Sequence, residues 1–313
     1  MPACSRLIWP EVPETRRIRA PCILGRAYRH ALSEPTLSSK AYRVALSASG
    51  AALGAIAAYW ALLSARQGHI LFDTRKLPVV ALSADFSTYS HTVPGGMVRG
   101  YVYHPHGEAA LQDLFIYFAG RGEDVRATAK ALHWLPEGFG FAAVNYRGMA
   151  DSEGHPSEIA SVADAVQFAN HLRKAFPHAR LHVVGRSLGS GVAIQLVAQQ
   201  TFTSLQLITP YDSMLEVAKK RFPLVPLSLL LRHQFNSLAH CLGVAAKTQV
   251  LLAERDDVVL PERSAKLIAA WPTPVSVKTI AGSDHHSIID LEMTWLLLVD
   301  FALTAVLAMP EAA

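Results

Sequence analysis

The residues Val183 to Ala193, VVGRSLGSGVA, constrain the fold of this chain more than any other stretch. They read as an apolar strand, then Gly-x-Ser-x-Gly, then a helix whose first turn carries small residues. A strand that turns at once into a helix leaves no room for side chains beside the turn, so Gly185 and Gly189 flank Ser187. Gly191 and Ala193 let the helix approach the sheet closely. A serine hydroxyl is a poor nucleophile until it is held exposed and strained beside a base. The helix N-terminus also aims N–H groups at the place where negative charge would develop. The pentapeptide alone is compatible with an ordinary glycine-rich turn, so the rest of the chain must decide its meaning.

From about residue 78 onward short apolar runs alternate with amphipathic stretches. Val98 to Tyr103 alternates like an early antiparallel strand, and Leu114 to Ala119 and Phe141 to Asn145 read as strands. Leu181 to Val184 leads into the Ser187 turn, and Leu205 to Thr209, Gln249 to Ala253 and Val275 to Ile280 are further strands. Helices are expected over Val125–Leu135, Glu158–Phe176, Pro261–Trp271 and Ile288–Leu307. In Glu158–Phe176 the apolar stripe is Ile159, Val162, Val166, Phe168, Ala169 and Leu172. Strands alternating with helices predict an α/β fold: a mostly parallel central sheet with helices on both faces. Sites in such sheets gather beyond the carboxyl ends of the strands.

A serine nucleophile needs a base, and the base needs an orienting acid. After Ser187 two strands run into loops that offer them: LLAERDDVVLP, from Leu251 to Pro261, and IAGSDHHSI, from Ile280 to Ile288. Asp256 and Asp257 compete for the acid, and His285 and His286 for the base. Asp284 reads as a surface or turn residue, and Glu254 points elsewhere by strand alternation. An oxyanion hole needs two N–H donors. Leu188, directly after the serine, supplies one. Arg121, in the strand-exit loop Gly120 to Asp124, GRGED, supplies the other. That loop also reads as a glycine-rich turn with a solvated charge cluster.

Net charge is +4, but eight Lys/Arg against three acids fall in residues 1–43, which leaves 21 basic and 22 acidic groups in the rest. The body therefore needs no nucleic acid or other polyanion. Residues 1–43, rich in Arg, Pro and Ser, read as a disordered tail. Val44 to Leu63, VALSASGAALGAIAAYWALL, follows with no charge and is long enough to span a bilayer. Tyr59 and Trp60 lie near its end, where amphipathic rings sit at the interface. The Arg-rich stretch before it favours a cytoplasmic N-terminus and a body on the non-cytoplasmic side. Arg66, Arg75 and Lys76 weigh against that orientation, and two readings compete: a helix packed on a cytoplasmic soluble domain, and a cleaved signal, which the long n-region and the poor cleavage site LLSAR disfavour. Cys4, Cys22 and Cys241 have neither metal nor disulfide-framework spacing. Cys241 reads as a small apolar residue.

With these residues in view, the chain from about residue 79 to 300 resembles the α/β-hydrolase superfamily, specifically the short-cap serine hydrolases labelled serine-aminopeptidase-like or abhydrolase-domain proteins. The resembling blocks are FAGRGED (Phe118–Asp124), NYRGMADSEGHPS (Asn145–Ser157), GRSLGSG (Gly185–Gly191), and the pair DDVVL (Asp256–Leu260) with GSDHH (Gly282–His286). The resemblance implies an α/β-hydrolase fold over residues 78–313 with a cap at about 211–249. It implies Ser187 as nucleophile, Asp256 as acid and His285 as base, with no metal or cofactor. The chain departs from the family pattern at Ala119, Arg121 and Ala150, where His, Asn and Gly are usual. Arg121 would add positive charge at the mouth of the site. In the cap, Phe222 to Leu231 would line an acyl pocket or pack a helix on the sheet. The expected activity is cleavage of a carboxylic ester of a small or lipid-like acid, with thioesters and short peptides as variants. The rival expectation is a non-catalytic, membrane-tethered scaffold of the same fold that binds a ligand or partner.

Overall fold

A computed structural model describes residues 39–74, 81–104 and 111–307. Cys4, Cys22, Arg75, Lys76 and most of the basic tail lie outside the described residues. The chain divides into two units between Ala57 and Ala58. The first contains the start of helix α1 (Ser39–Phe72), an apolar stretch that is exposed wherever it is described. The second contains the last turns of α1 and everything after them. The helix has 34 residues, longer at both ends than the run 44–63. From Tyr42 to Phe72 it is long and apolar enough to cross a membrane.

The apolar runs form β1 (Phe86–Val93), β2 (Gly96–Tyr103), β3 (Asp113–Phe118), β4 (Phe139–Val144), β5 (Arg180–Arg186), β6 (Ser204–Ile208), β7 (Lys247–Arg255) and β8 (Ser276–Asp284). Among the described residues they make one sheet in the order β1-β2-β4-β3-β5-β6-β7-β8. β2 is antiparallel to β1 and β4, as its alternation predicts, and the pairs from β4 to β8 are parallel. β1, FSTYSHTV, was not expected: its outward positions are polar and its inward ones include His91.

Helices α2 (Glu158–Ala175), α3 (Leu188–Val197), α4 (Met214–Arg221), α5 (Leu227–Leu230), α6 (Ser237–His240), α7 (Pro261–Ala269) and α8 (Glu292–Leu307) surround the sheet. Successive residues of β3 serve opposite layers, as the strand period of two requires. Leu114, Ile116 and Phe118 face one core with α2, α3 and α7. Phe115, Tyr117 and Ala119 face the other with α8. These are the helices on both faces that the alternation predicts. Ile159 is a correction to the α2 stripe: it is 84% exposed, while Val162, Phe168, Ala169 and Leu172 are buried.

Two helices form differently from expectation. Val125–Trp134 is a 3-10 helix, with Asp124 capping the N–H of Arg126 and Asn145 Oδ1 taking that of Val125. The helix expected from Ile288 splits into a 3-10 turn (Ser287–Asp290) and α8. The carbonyls of Ile288 and Ile289 accept from the side chains of Thr294 and Trp295, so they do not feed a continuous helical ladder. The excursion between β6 and β7 carries α4, α5 and α6. It ends before Lys247, where β7 begins, which shortens the 211–249 segment by three residues.

Candidate active site

The parallel strands deliver the candidate residues to one edge of the sheet. β5 ends at Arg186 and the next residue is Ser187; β7 ends at Arg255 and the next is Asp256; β8 ends at Asp284 and the next is His285. β3 ends at Phe118, two residues before the loop Gly120–Gly122. Four strand ends thus supply candidates for a nucleophile, an acid, a base and a backbone donor.

Ser187 stands at φ +48° and ψ −117°, a strained conformation for a residue with a Cβ. The packing around it explains the two glycines of the motif. A Cβ on Gly185 would lie 2.6 Å from Ala193 Cβ, and one on Gly189 would lie 2.0 Å from the carbonyl oxygen of Phe118. Gly191 meets the Tyr211 hydroxyl and Phe235 rather than the sheet, so its small size admits the start of the cap.

The Ser187 hydroxyl is 2.9 Å from His285 Nε2, and His285 Nδ1 is 3.0 and 2.9 Å from the two carboxylate oxygens of Asp256. A carboxylate only accepts, so the proton sits on Nδ1 and Nε2 is free to accept from the serine. Asp256 Oδ1 also accepts the N–H groups of Val258 and Val259, which fixes its orientation. His285 is 4% exposed. The competing residues lie elsewhere. His286 and Asp257 are exposed, and Glu254 accepts from the N–H of Gly282. Asp284 is a turn residue: its carboxylate takes the N–H groups of Ser287 and His286, and these bonds hold its pKa below the usual value.

The loop after β3 is pinned from several sides. The N–H of Gly120 goes to Glu123 Oε2 at 2.9 Å and that of Gly122 to the carbonyl of Phe72 at 3.1 Å. Between them, the N–H of Arg121 has no hydrogen bond among the described residues, nor has that of Leu188. A Cβ on Gly120 would lie 3.6 Å from Ser187 Cβ, so this loop borders the serine. The Arg121 side chain turns away: Nε donates to the carbonyl of Ile70 at 2.9 Å, and Nη1 is 3.5 Å from Asp73. Its charge is therefore tied to the end of α1.

Sequence reading missed Arg186 and Glu123. The charges of the Gly120–Asp124 loop looked solvated, yet Glu123 is mostly buried. It accepts from Arg186 Nη1 at 2.6 Å and from the Tyr117 hydroxyl at 2.7 Å. Arg186 Nη2 donates to the carbonyls of His285 and His286 at 3.0 and 3.2 Å. Burial opposes the guanidinium charge, but Glu123 outweighs it and holds the Arg186 pKa above its ordinary value. Burial and the Glu123 charge push the Tyr117 phenol well up. A clue was present in sequence: an arginine at the last position of an otherwise apolar strand must find a buried partner.

The block Asn145–Ser157 sits behind the site. The Tyr146 hydroxyl donates to the carbonyl of Ala119 at 3.1 Å, Arg147 pairs with Asp164 at 2.7 Å, and Ser157 caps α2. Ala150 stands at φ +49°, the left-handed conformation for which glycine is suited.

A groove of about 650 Å³ lies along the cap. Arg121, Asp257 and Val258 line it on the side of the candidate residues, Val258 donating its N–H to Asp256, and Met214, Val217, Phe222, Leu227 and Leu231 line its cap side. Phe222–Leu231 thus faces a groove, while Leu224 and Leu229 on the same stretch point to solvent. Cys241 is a buried free thiol whose pKa is raised by burial.

Residues 110–240 match the family model described as Serine aminopeptidase, S33. An uncharacterised protein of Mycobacterium tuberculosis is 32% identical over 196 residues, covering 61% of this chain and 69% of that protein. The lysophosphatidylserine lipase ABHD12 of Danio rerio is 30% identical over 158 residues, 46% of this chain and 40% of the lipase. Among solved structures, an alpha-beta hydrolase from Vibrio vulnificus superposes with a TM-score of 0.54 at 23% identity, covering 72% of this chain and 82% of that one.

Proposed function

This chain belongs to the α/β-hydrolase superfamily, a hydrolase by that membership, and we propose that it is a serine hydrolase acting on carboxylic esters. The observation that carries the proposal is the continuous relay from Asp256 through His285 to Ser187, with both links at about 2.9 Å. In this reading His285 Nε2 takes the proton of Ser187 as its oxygen attacks the substrate carbonyl. Asp256 holds the imidazole in the required tautomer and stabilises the imidazolium that forms. The N–H groups of Arg121 and Leu188 receive the developing oxyanion. His285 then returns the proton to the departing alcohol. Water, deprotonated by the same imidazole, releases the acid from the acyl-enzyme.

The apolar groove beside the cap supports an ester with an aliphatic acyl part, and the similarity to a lysophosphatidylserine lipase supports a lipid-like one. The length and apolarity of α1 support a single-pass anchor, and the Arg-rich stretch before it favours a body on the non-cytoplasmic side. A fluorophosphonate probe tests the enzyme reading. Wild type should label and Ser187→Ala should not; folded wild type that does not label leaves a non-catalytic scaffold. Full-length protein should sediment with membranes and protein lacking residues 1–57 should not, which tests the anchor.

A further inference from the structure

The groove has a second wall that comes from outside the catalytic blocks. Leu63, Gln67, Ile70 and Leu71 line it. Their spacing of i, i+4, i+7 and i+8 puts them on one face of α1. They belong to the last turns of the helix, within the same unit as the triad.

This wall is held in place on both sides. Gln67 donates to the carbonyl of Leu230 at 3.2 Å and accepts from the N–H of Arg232 at 2.6 Å, which joins it to the cap. The carbonyls of Ile70 and Phe72 accept from Arg121 Nε and the Gly122 N–H, which joins it to the loop beside Ser187. Phe72 is fully buried, with ring centroids 5.8 Å from Tyr146 and 6.1 Å from Phe235.

We propose that this face of α1 is the specificity-determining wall for the acyl chain, with a linear alkyl chain lying between it and the cap. The proposal rests on the serine-hydrolase reading. The two facing walls are mainly aliphatic, which suits an alkyl chain. The groove volume falls within the range of ligand pockets. Arg121 follows Gly120, which borders Ser187, and Val258 donates its N–H to Asp256, so an acyl chain in the groove would direct its carbonyl carbon toward Ser187. Order along the helix follows from the same contacts. Ile70 is bonded to the loop next to Ser187, and Leu63 is two turns earlier, about 10 Å further along the axis. Ile70 therefore meets the first carbons of the chain and Leu63 the later ones.

The test is the ratio of kcat/KM across nitrophenyl acetate, butyrate and decanoate, with full-length variants. Leu63→Trp should lower the decanoate-to-acetate ratio by about tenfold or more, the loss expected when two methylenes are kept from apolar surface. Ile70→Trp should lower the butyrate-to-acetate ratio as well. Leu62→Trp, on the exposed side of the helix, should keep the wild-type profile. Labelling by a methyl-tailed fluorophosphonate shows which variants have folded. If a tryptophan variant does not label, Leu63→Ala stands in, and it must raise turnover of esters longer than decanoate relative to decanoate. An active wild type whose profile is the same in Leu63→Trp and Leu62→Trp, or unmoved by Leu63→Ala, overturns this inference alone. A folded wild type that neither labels nor hydrolyses any ester overturns the serine-hydrolase reading, and this inference with it.

Discussion

Arg186 Nη2 donates to the backbone carbonyl of His285 at 3.0 Å, so the residue before Ser187 also fixes the loop that carries the candidate base. Its other arm holds Glu123, the anchor of the Gly120 N–H. One guanidinium therefore joins three of the four loops of the site. Removing it leaves a buried carboxylate without its cation, a loss of about 3–5 kcal/mol of stability. Arg186→Met should show that loss in denaturant titration. The pair Arg186→Met with Glu123→Gln removes both charges and should recover at least half of it. Activity should not follow stability. In both proteins kcat should stay about a hundredfold down, because the His285 loop has lost its tie and small misplacements carry costs of this order. Recovery of kcat in the double variant would show that Arg186 only stabilises the fold.

The two adjacent histidines give a clean contrast. His285 lies between Asp256 and Ser187, whereas His286 is exposed and its N–H goes to Asp284. His285→Ala should lower kcat on a nitrophenyl ester by about three orders of magnitude or more. His286→Ala should stay within about threefold of wild type, since it removes a solvated side chain. Equal losses in the two variants would refute the assignment of the base.

The strand ends were legible because each is an apolar run that stops at a polar residue, and burial of the run fixes where the next side chain emerges. That logic placed Ser187, Asp256 and His285 together, although it left Asp257 and His286 open until the family pattern was considered. It did not reach Arg186 and Glu123. These are 63 positions apart, and a charge-rich loop looks the same in sequence whether its carboxylate meets water or a guanidinium. β1 was missed because an edge strand with polar outward positions lacks a continuous apolar run. The break before α8 was missed because the side chains of Thr294 and Trp295 cap the preceding turn from six residues away, a contact that hydrophobic periodicity does not register.

Ala150 carries a measurable strain. At φ +49° an L-residue is disfavoured by about 1–2 kcal/mol, which glycine does not suffer. Glycine gives part of this back through the greater entropy of its unfolded chain, about 0.4–1 kcal/mol. Ala150→Gly should therefore gain about 0.5–1 kcal/mol, read as a higher denaturant midpoint at unchanged slope. A loss of stability would mean that the methyl group makes contacts worth more than the backbone relief.

Asp113 gives the sheet a pH dependence whose sign can be worked out. It lies at the start of β3, almost fully buried, and accepts from His182 at 2.9 Å and from Arg180 at 2.6 and 2.8 Å. Burial raises its pKa, but the bonds from His182 and Arg180 outweigh burial and leave it below 3.8. A carboxyl whose folded pKa lies below its unfolded one binds protons more readily when unfolded. Its contribution to stability is thus present above the unfolded pKa and is lost as pH falls through the lower, folded value. Asp113→Asn should be less stable than wild type by about 2 kcal/mol near neutral pH, the scale of hydrogen bonds to a charged group. The gap should narrow as pH drops below about 4 and shrink further toward the folded pKa. Thermal unfolding of both proteins across that range measures it. A gap that stays constant down to about pH 2 would mean that the side chain acts through packing and neutral hydrogen bonds, not through its charge.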